Sequence, residues 1–173
     1  MIPLNVTHQA IVTDAIHAQL LSPGASHSSG VHAKASSNLR HMLSTLISFF
    51  KESYKSTFGF NAGPPLHDAL TIAYISCPEI LRCTRYRVDV ELAGSHSTGE
   101  TIVDVWGYQM CDHSWGSAGK NCQVALDLDV SGIRHAFNSV RSILTKAAQV
   151  NVFFAMFLDC VTKCDEVSPL NRS

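Results

Sequence analysis

The 173-residue chain has little charge, with 16% Asp, Glu, Lys and Arg, and no excess of either sign, since thirteen basic residues stand against fourteen acidic ones. A near-neutral balance gives no electrostatic footing for nucleic acid or an anionic membrane, and neither is expected as a partner. No run of eighteen apolar residues occurs, which argues against a membrane-spanning helix. The opening MIPLNVTHQAIVTDAIH has neither a basic leader nor an unbroken apolar stretch, so secretion is not expected and a cytoplasmic location is. Serine nucleophile elbows, phosphate-binding glycine loops, the H-E-x-x-H zinc signature and fixed-period repeats are all missing.

What is present describes one globular domain over residues 1–173, with 46% hydrophobic residues to build a core. Six cysteines, at positions 77, 83, 111, 122, 160 and 164, are too irregularly spaced for a disulfide framework in a chain this long and read as reduced thiols.

The segment from Ile2 to Val12 is short and β-rich and reads as a strand or extended piece. Thr13 is a plausible N-cap for a helix that ends before Ser22-Pro23-Gly24. Residues 24–35, rich in Ser and Gly, read as a surface loop, in which His27 and His32 are expected to be exposed. Leu39, Met42, Leu43, Leu46, Ile47, Phe50 and Tyr54 then recur at three- and four-residue steps, which predicts a long amphipathic helix capped by Ser36 or Ser37 and ended by Gly59, its stripe packed in the core. Gly63-Pro64-Pro65 forces a turn, and LHDALTIAYI predicts a second helix stopped by Pro78. Period-two alternation through Tyr86, Val88, Val90 and Leu92, followed by TIVDVWGY, predicts a β-hairpin, and CQVALDLDV a third strand. NVFFAMFLDCVTKC predicts the last helix. Helices and strands therefore mix, and the class is α/β or α+β.

His67 and Asp68 open the second of these helices, where backbone N–H groups lie unpaired and a carboxylate is favoured. From local chemistry the pair divides evenly between a cap and a functional site. The rigid double-proline entry and the apolar helix behind it favour a site. Cys111, His113 and Cys122 suggest zinc ligands, but C-x-H-x8-C matches no common structural site and lacks a fourth ligand. Tyr54 belongs either to its helix stripe or to the mouth of a site near His67.

The segments GPPLHDALTIAYI and RYRVDVELAGSHSTGETIVDVWG resemble the C-terminal half of the inosine-uridine-preferring nucleoside hydrolase family. IPLNVTHQAIVT resembles the segment upstream of it, and the tail FLDCVTKCDEVSPLN is similar to the ends of fungal-type members. The ordered set NVTH, PLHD, RVDVE and GETIVD is more specific than any one piece. The resemblance implies a Rossmann-like α/β fold with a mixed sheet and flanking helices, of which this chain would be the C-terminal part. It also implies hydrolysis of the N-glycosidic bond of uridine- or inosine-type ribonucleosides with a bound calcium ion. By position, His67 matches the histidine that protonates the leaving base, Asp68 the carboxylate that binds calcium and the ribose hydroxyls, and Tyr54 a residue beside the base. Ala69 stands where family members usually have proline.

Two departures shape the expectation. The family's D-x-D-P-G-x-D-D motif, which supplies most calcium ligands and the water-activating base, has no counterpart here, nor do its N-x-E-x-N-type ribose contacts. The chain is therefore expected to be inactive alone and to need a complementing N-terminal half; the alternative is a non-catalytic remnant or binding module, for which a homo-oligomer is expected through the sheet edges left open. Residues 132–149, GIRHAFNSVRSILTKAAQ, read as an insertion, either helical or a translated intron.

Overall fold

The computed structural model describes residues 1–23, 34–128 and 146–172. The expected loop at 24–35 and insertion at 132–149 fall mostly outside the described residues, and His27 and His32 wholly so.

The chain opens with one helical turn, α1 (Leu4–Thr7). This corrects the extended reading of Ile2–Val12. The Pro3 carbonyl accepts from the N–H groups of Val6 and Thr7 and closes a turn, which buries both β-branched side chains. Burial thus outweighs their strand propensity. Pairing survives only as a bridge between Ile11 and Pro65.

Helix α2 (Asp14–Leu21) starts as expected, with the Thr13 hydroxyl accepting from Ile16 N–H. Helix α3 (Asn38–Phe58) is capped by Ser37, whose Oγ accepts from Arg40 N–H at 3.2 Å, and ends at Gly59 in the left-handed conformation. Helix α4 (His67–Ser76) stops two residues before Pro78. Three strands follow: β1 (Leu81–Val90), β2 (Thr101–Asp104) and β3 (Cys122–Leu128). They form an antiparallel sheet in the order β2-β1-β3, with Val88 opposite Val103 and Arg85 opposite Gln123. Helix α5 (Lys146–Val167) closes the fold.

The core gathers Val6 from α1, Leu20 from α2, Ile47 from α3, Leu70 from α4, Leu81 and Leu128 from the sheet, and Phe153 and Phe154 from α5. Met1 joins it to the sheet edge, its carbonyl accepting from Ala125 N–H at 2.9 Å. The α3 stripe is not the buried face that its spacing predicts. Ile47 is buried and Leu43 packs on the core, but Met42, Leu46 and Phe50 are 42%, 49% and 48% exposed.

The most buried side chain of α3 is instead a cation. Arg40, 1% exposed, pairs through Nε with Asp165 of α5 at 2.8 Å. Its Nη1 donates to the Leu20 carbonyl at 2.7 Å and its Nη2 to Thr162 Oγ1 at 3.0 Å. A planar guanidinium with three partners tolerates a dry site that a lone charge would not. It ties α2, α3 and α5 together.

Candidate functional site

The site is built where two short segments meet. Val12 N–H donates to the Pro64 carbonyl and Leu66 N–H to the Ala10 carbonyl, both at 2.9 Å, so residues 10–12 lie along residues 64–66. Gly63 makes this possible. Its φ is +138°, and a β-carbon there would stand 2.0 Å from the Val12 carbonyl oxygen. Only glycine takes that backbone and permits that approach. The prolines behind it are buried and present their carbonyls without N–H groups to satisfy. The consequence is geometric: the end of α1 is laid against the start of α4.

His67 is the first residue of α4, and both its ring nitrogens are held. Nε2 lies 2.7 Å from the Tyr54 hydroxyl, and Nδ1 lies 2.8 Å from Thr7 Oγ1. No side chain caps this helix, so His67 is engaged by tertiary partners rather than by its own N–H groups. Tyr54 comes from the last turns of α3, which brings together two of the residues expected to share a site. Burial draws the His67 imidazole below its ordinary pKa, the neighbouring His8 adds to this, and the Asp68 carboxylate opposes both.

Asp68 is exposed beside His67, with no side-chain hydrogen bond or salt bridge among the described residues. Its carboxylate lies in the first turn of α4, where the helix dipole favours it.

Three further residues complete the arrangement, and pattern reading did not single them out. Thr7 is 3% exposed, and its hydroxyl reaches His67. The His8 ring meets the His67 ring edge-on with centroids 5.6 Å apart and the Phe60 ring at 5.0 Å. Phe60 in turn packs at 5.8 Å against Tyr54. The NVTH segment was the available signal for Thr7 and His8, because it preceded the His-Asp segment in the ordered motif set.

Calcium is the ion that the family resemblance implies. Such an ion takes six to eight oxygen ligands, usually from several carboxylates. Asp68 is one carboxylate, and among the described residues no three His, Cys, Asp or Glu side chains come together. These residues by themselves do not fit a calcium site. The zinc reading of Cys111, His113 and Cys122 also lacks a convergent donor set. Arg87 Nη1 stands 2.9 Å from Cys111 Sγ, placing a fixed cation where a metal would have to bind, and the guanidinium is stacked 4.3 Å from the Trp115 ring.

A separate cleft of about 280 Å³ opens between α4 and α5, lined by Ala69, Ile72, Ala73, Phe153, Met156 and Phe157 among others. The α4 residues lining it lie on the side of the helix opposite His67. It is apolar and distinct from the histidine site.

The model of the family described as inosine-uridine preferring nucleoside hydrolase matches residues 1–135. A probable ribonucleoside hydrolase of Dictyostelium discoideum is 33% identical over 130 residues, covering 75% of this chain and 34% of that protein. An inosine-uridine preferring nucleoside hydrolase of Leishmania major is 28% identical over 134 residues, with the same coverage of both chains. Among solved structures, a purine-preferring ribonucleoside hydrolase from Gardnerella vaginalis superposes with a TM-score of 0.61 at 21% identity, covering 93% of this chain and 40% of the other. The fold is therefore that of the nucleoside hydrolases, and this chain spans about a third of the length of the curated relatives it matches. With a family model matching from its first residue through the hairpin and the third strand, the chain belongs to the inosine-uridine preferring nucleoside hydrolase family.

Proposed function

We propose that these residues form the leaving-group side of a ribonucleoside hydrolase site, which splits a uridine- or inosine-type nucleoside into free base and ribose. The observation that carries the reading is the convergence of Tyr54 and His67, from two different helices, beside an exposed Asp68. Breaking the C1′–N bond sends its electron pair to the base and leaves positive charge on the sugar, so a proton delivered to the base lowers the barrier. His67 takes up a proton from solvent, delivers it from Nε2 as the imidazolium and is left neutral, with the base nitrogen taking the place that the Tyr54 hydroxyl holds here. Tyr54 flanks the base, and the Asp68 carboxylate accepts hydrogen bonds from the ribose hydroxyls. Water adds its oxygen to C1′ and gives its proton to a carboxylate that the described residues do not provide.

The same partition governs partners and cofactor. Asp68 would be one ligand of a calcium ion whose other ligands lie elsewhere, in further sequence of the same polypeptide or in a complementing chain. Large exposed apolar side chains on α3 and α4, Phe49 at 68%, Ile72 at 63% and Ile75 at 71%, support a unit that more protein covers, either that complement or a second copy. On this reading the chain does not turn over nucleoside by itself.

The test is release of free base from uridine or inosine in the presence of calcium. It is run first with this chain, then with the chain mixed with a nucleoside hydrolase N-terminal half that carries the D-x-D-P-G-x-D-D motif. No release is expected from the chain, and release from the mixture that His67→Gln abolishes. A folded mixture that releases nothing would overturn the proposal in favour of a non-catalytic module, the reading that the lack of convergent metal donors among the described residues supports.

A further inference from the structure

We infer that Thr7 is a positioning residue that sets the tautomer of His67, keeping the proton on Nδ1 and leaving Nε2 as the nitrogen that faces Tyr54. For its catalytic meaning this rests on the reading of His67 above, but the tautomer follows from hydrogen-bond bookkeeping alone.

A threonine hydroxyl has one proton to donate and lone pairs to accept with. Thr7 Oγ1 lies 3.2 Å from the Leu4 carbonyl, to which it donates, and 2.8 Å from His67 Nδ1. Two arrangements of the protons are possible. With the proton on Nδ1, the imidazole donates to Thr7 Oγ1, Thr7 donates to the Leu4 carbonyl, and the Tyr54 hydroxyl donates to the bare Nε2, which makes three hydrogen bonds. With the proton on Nε2, Thr7 turns to donate to Nδ1 and Nε2 donates to Tyr54. The bond to Leu4 is lost and the Tyr54 proton has no partner among the described residues, which leaves two.

The first arrangement has one more hydrogen bond, about 1 kcal/mol, which corresponds to roughly a fivefold preference. The Leu4 carbonyl is satisfied either way, since it also accepts from His8 N–H at 2.8 Å, so the margin is that one bond. Thr7 is nearly inaccessible, so no water competes for its oxygen. A free histidine side chain prefers the proton on Nε2, so the structure works against the intrinsic tendency. The consequence bears on proton delivery. An imidazole that has given a proton from Nε2 is left in the tautomer that Thr7 already holds, with no rearrangement of its partners.

The experiment is a long-range proton–nitrogen correlation spectrum of the imidazole rings in the ¹⁵N-labelled full chain, at a pH where His67 is neutral, with its signals identified by their loss in His67→Gln. The expected spectrum has a protonated Nδ1 and a bare Nε2 at His67. Thr7→Val, checked for folding by circular dichroism, should move the ratio toward Nε2–H by roughly fivefold. Thr7→Ser, which keeps the hydroxyl, should restore Nδ1–H. A merely structural threonine would lose stability in Thr7→Val without changing the tautomer. A wild-type spectrum with the proton on Nε2, or a folded Thr7→Val protein with an unchanged ratio, would overturn the inference. The wild-type spectrum decides the matter even if Thr7→Val does not fold. A protonated Nδ1 in a protein that releases no base after complementation would leave this assignment standing and remove the functional reading instead.

Discussion

The Tyr54 hydroxyl and His67 Nε2 lie 2.7 Å apart although one stands in the last turns of a 21-residue helix and the other begins the next. The connection between them runs through Gly59, which ends α3 in a left-handed turn, and Gly63, which lets the chain pass against Val12. The site therefore depends on a few local backbone conformations as much as on its side chains.

Tyr54→Phe removes that bond and keeps the ring packed against Phe58 and Phe60. A loss of about 1 kcal/mol in urea-unfolding stability is expected. An unchanged midpoint would mean that the hydroxyl and the imidazole are not bonded in solution.

Gly63→Ala and Gly59→Ala separate strain from collision. Both glycines have positive φ, but a β-carbon at Gly59 meets nothing within 4 Å, while at Gly63 it collides with the Val12 carbonyl. Gly59→Ala should cost about 1 kcal/mol, and Gly63→Ala about 3 kcal/mol or more. Thermal unfolding of the two variants side by side measures the difference. Equal losses would mean that the contact between residues 10–12 and 64–66 is loose.

Arg40→Ala leaves Asp165, the Leu20 carbonyl and Thr162 facing a cavity, and a loss of about 3–5 kcal/mol is expected. Arg40→Lys should recover little of it, because an ammonium cannot span three partners in a plane. Chemical denaturation distinguishes these results from a surface charge, whose removal would cost almost nothing.

Acid should weaken the fold in two stages. Burial chiefly, and the Lys51 charge next, hold His17 below its ordinary value of 6.5, with Asp14 opposing them. The folded state thus prefers His17 neutral, where its ring is 2.7 Å from Ser44 Oγ. That stability is complete above about pH 6.5 and declines as pH falls through the lower folded value. His67 is shifted in the same direction and adds to this stage. Asp165 is held below its ordinary 3.8, first by the Ser37 hydroxyl against the opposing effect of burial, then by Asn171 and Arg40. Its contribution is present above the ordinary carboxylate range and is lost only below it. Urea midpoints measured against pH should show both stages, with His17→Gln reducing the upper and Asp165→Asn the lower.

Asp68→Asn separates a helix cap from a ligand. The side chain is exposed and the helix has no side-chain cap, so only a dipole contribution of about half a kcal/mol is at stake for folding. Base release by the complemented enzyme should instead fall steeply. A large stability loss with normal turnover would return Asp68 to a structural role.

Much of the fold was legible because its signals are local. Thr13, Ser37 and Gly59 are caps that work through the backbone within four residues, and α2 and α3 begin and end where those caps stand. Alternation over Tyr86–Leu92 gave the hairpin for the same reason, since period two is a property of the strand itself. The two misreadings concern partners. Val6 and Thr7 have strand propensities, but the Pro3 turn and burial against α4 decide their conformation. The α3 stripe has the spacing of a core helix, yet burial is set by what lies against it, and among the described elements the chain covers Arg40 more completely than Phe50.

The residues themselves determined that His67 and Asp68 open a helix behind a rigid turn, because proline and glycine restrict the backbone wherever the chain goes. The ordered motifs determined the family, because they preserve the order in which the fold uses them. Tertiary structure alone decided what His67 touches. Thr7 lies sixty residues before it in the chain and Tyr54 thirteen, and a hydrogen bond forms only once Gly63 lets residues 10–12 lie along 64–66 and bring those side chains within 3 Å.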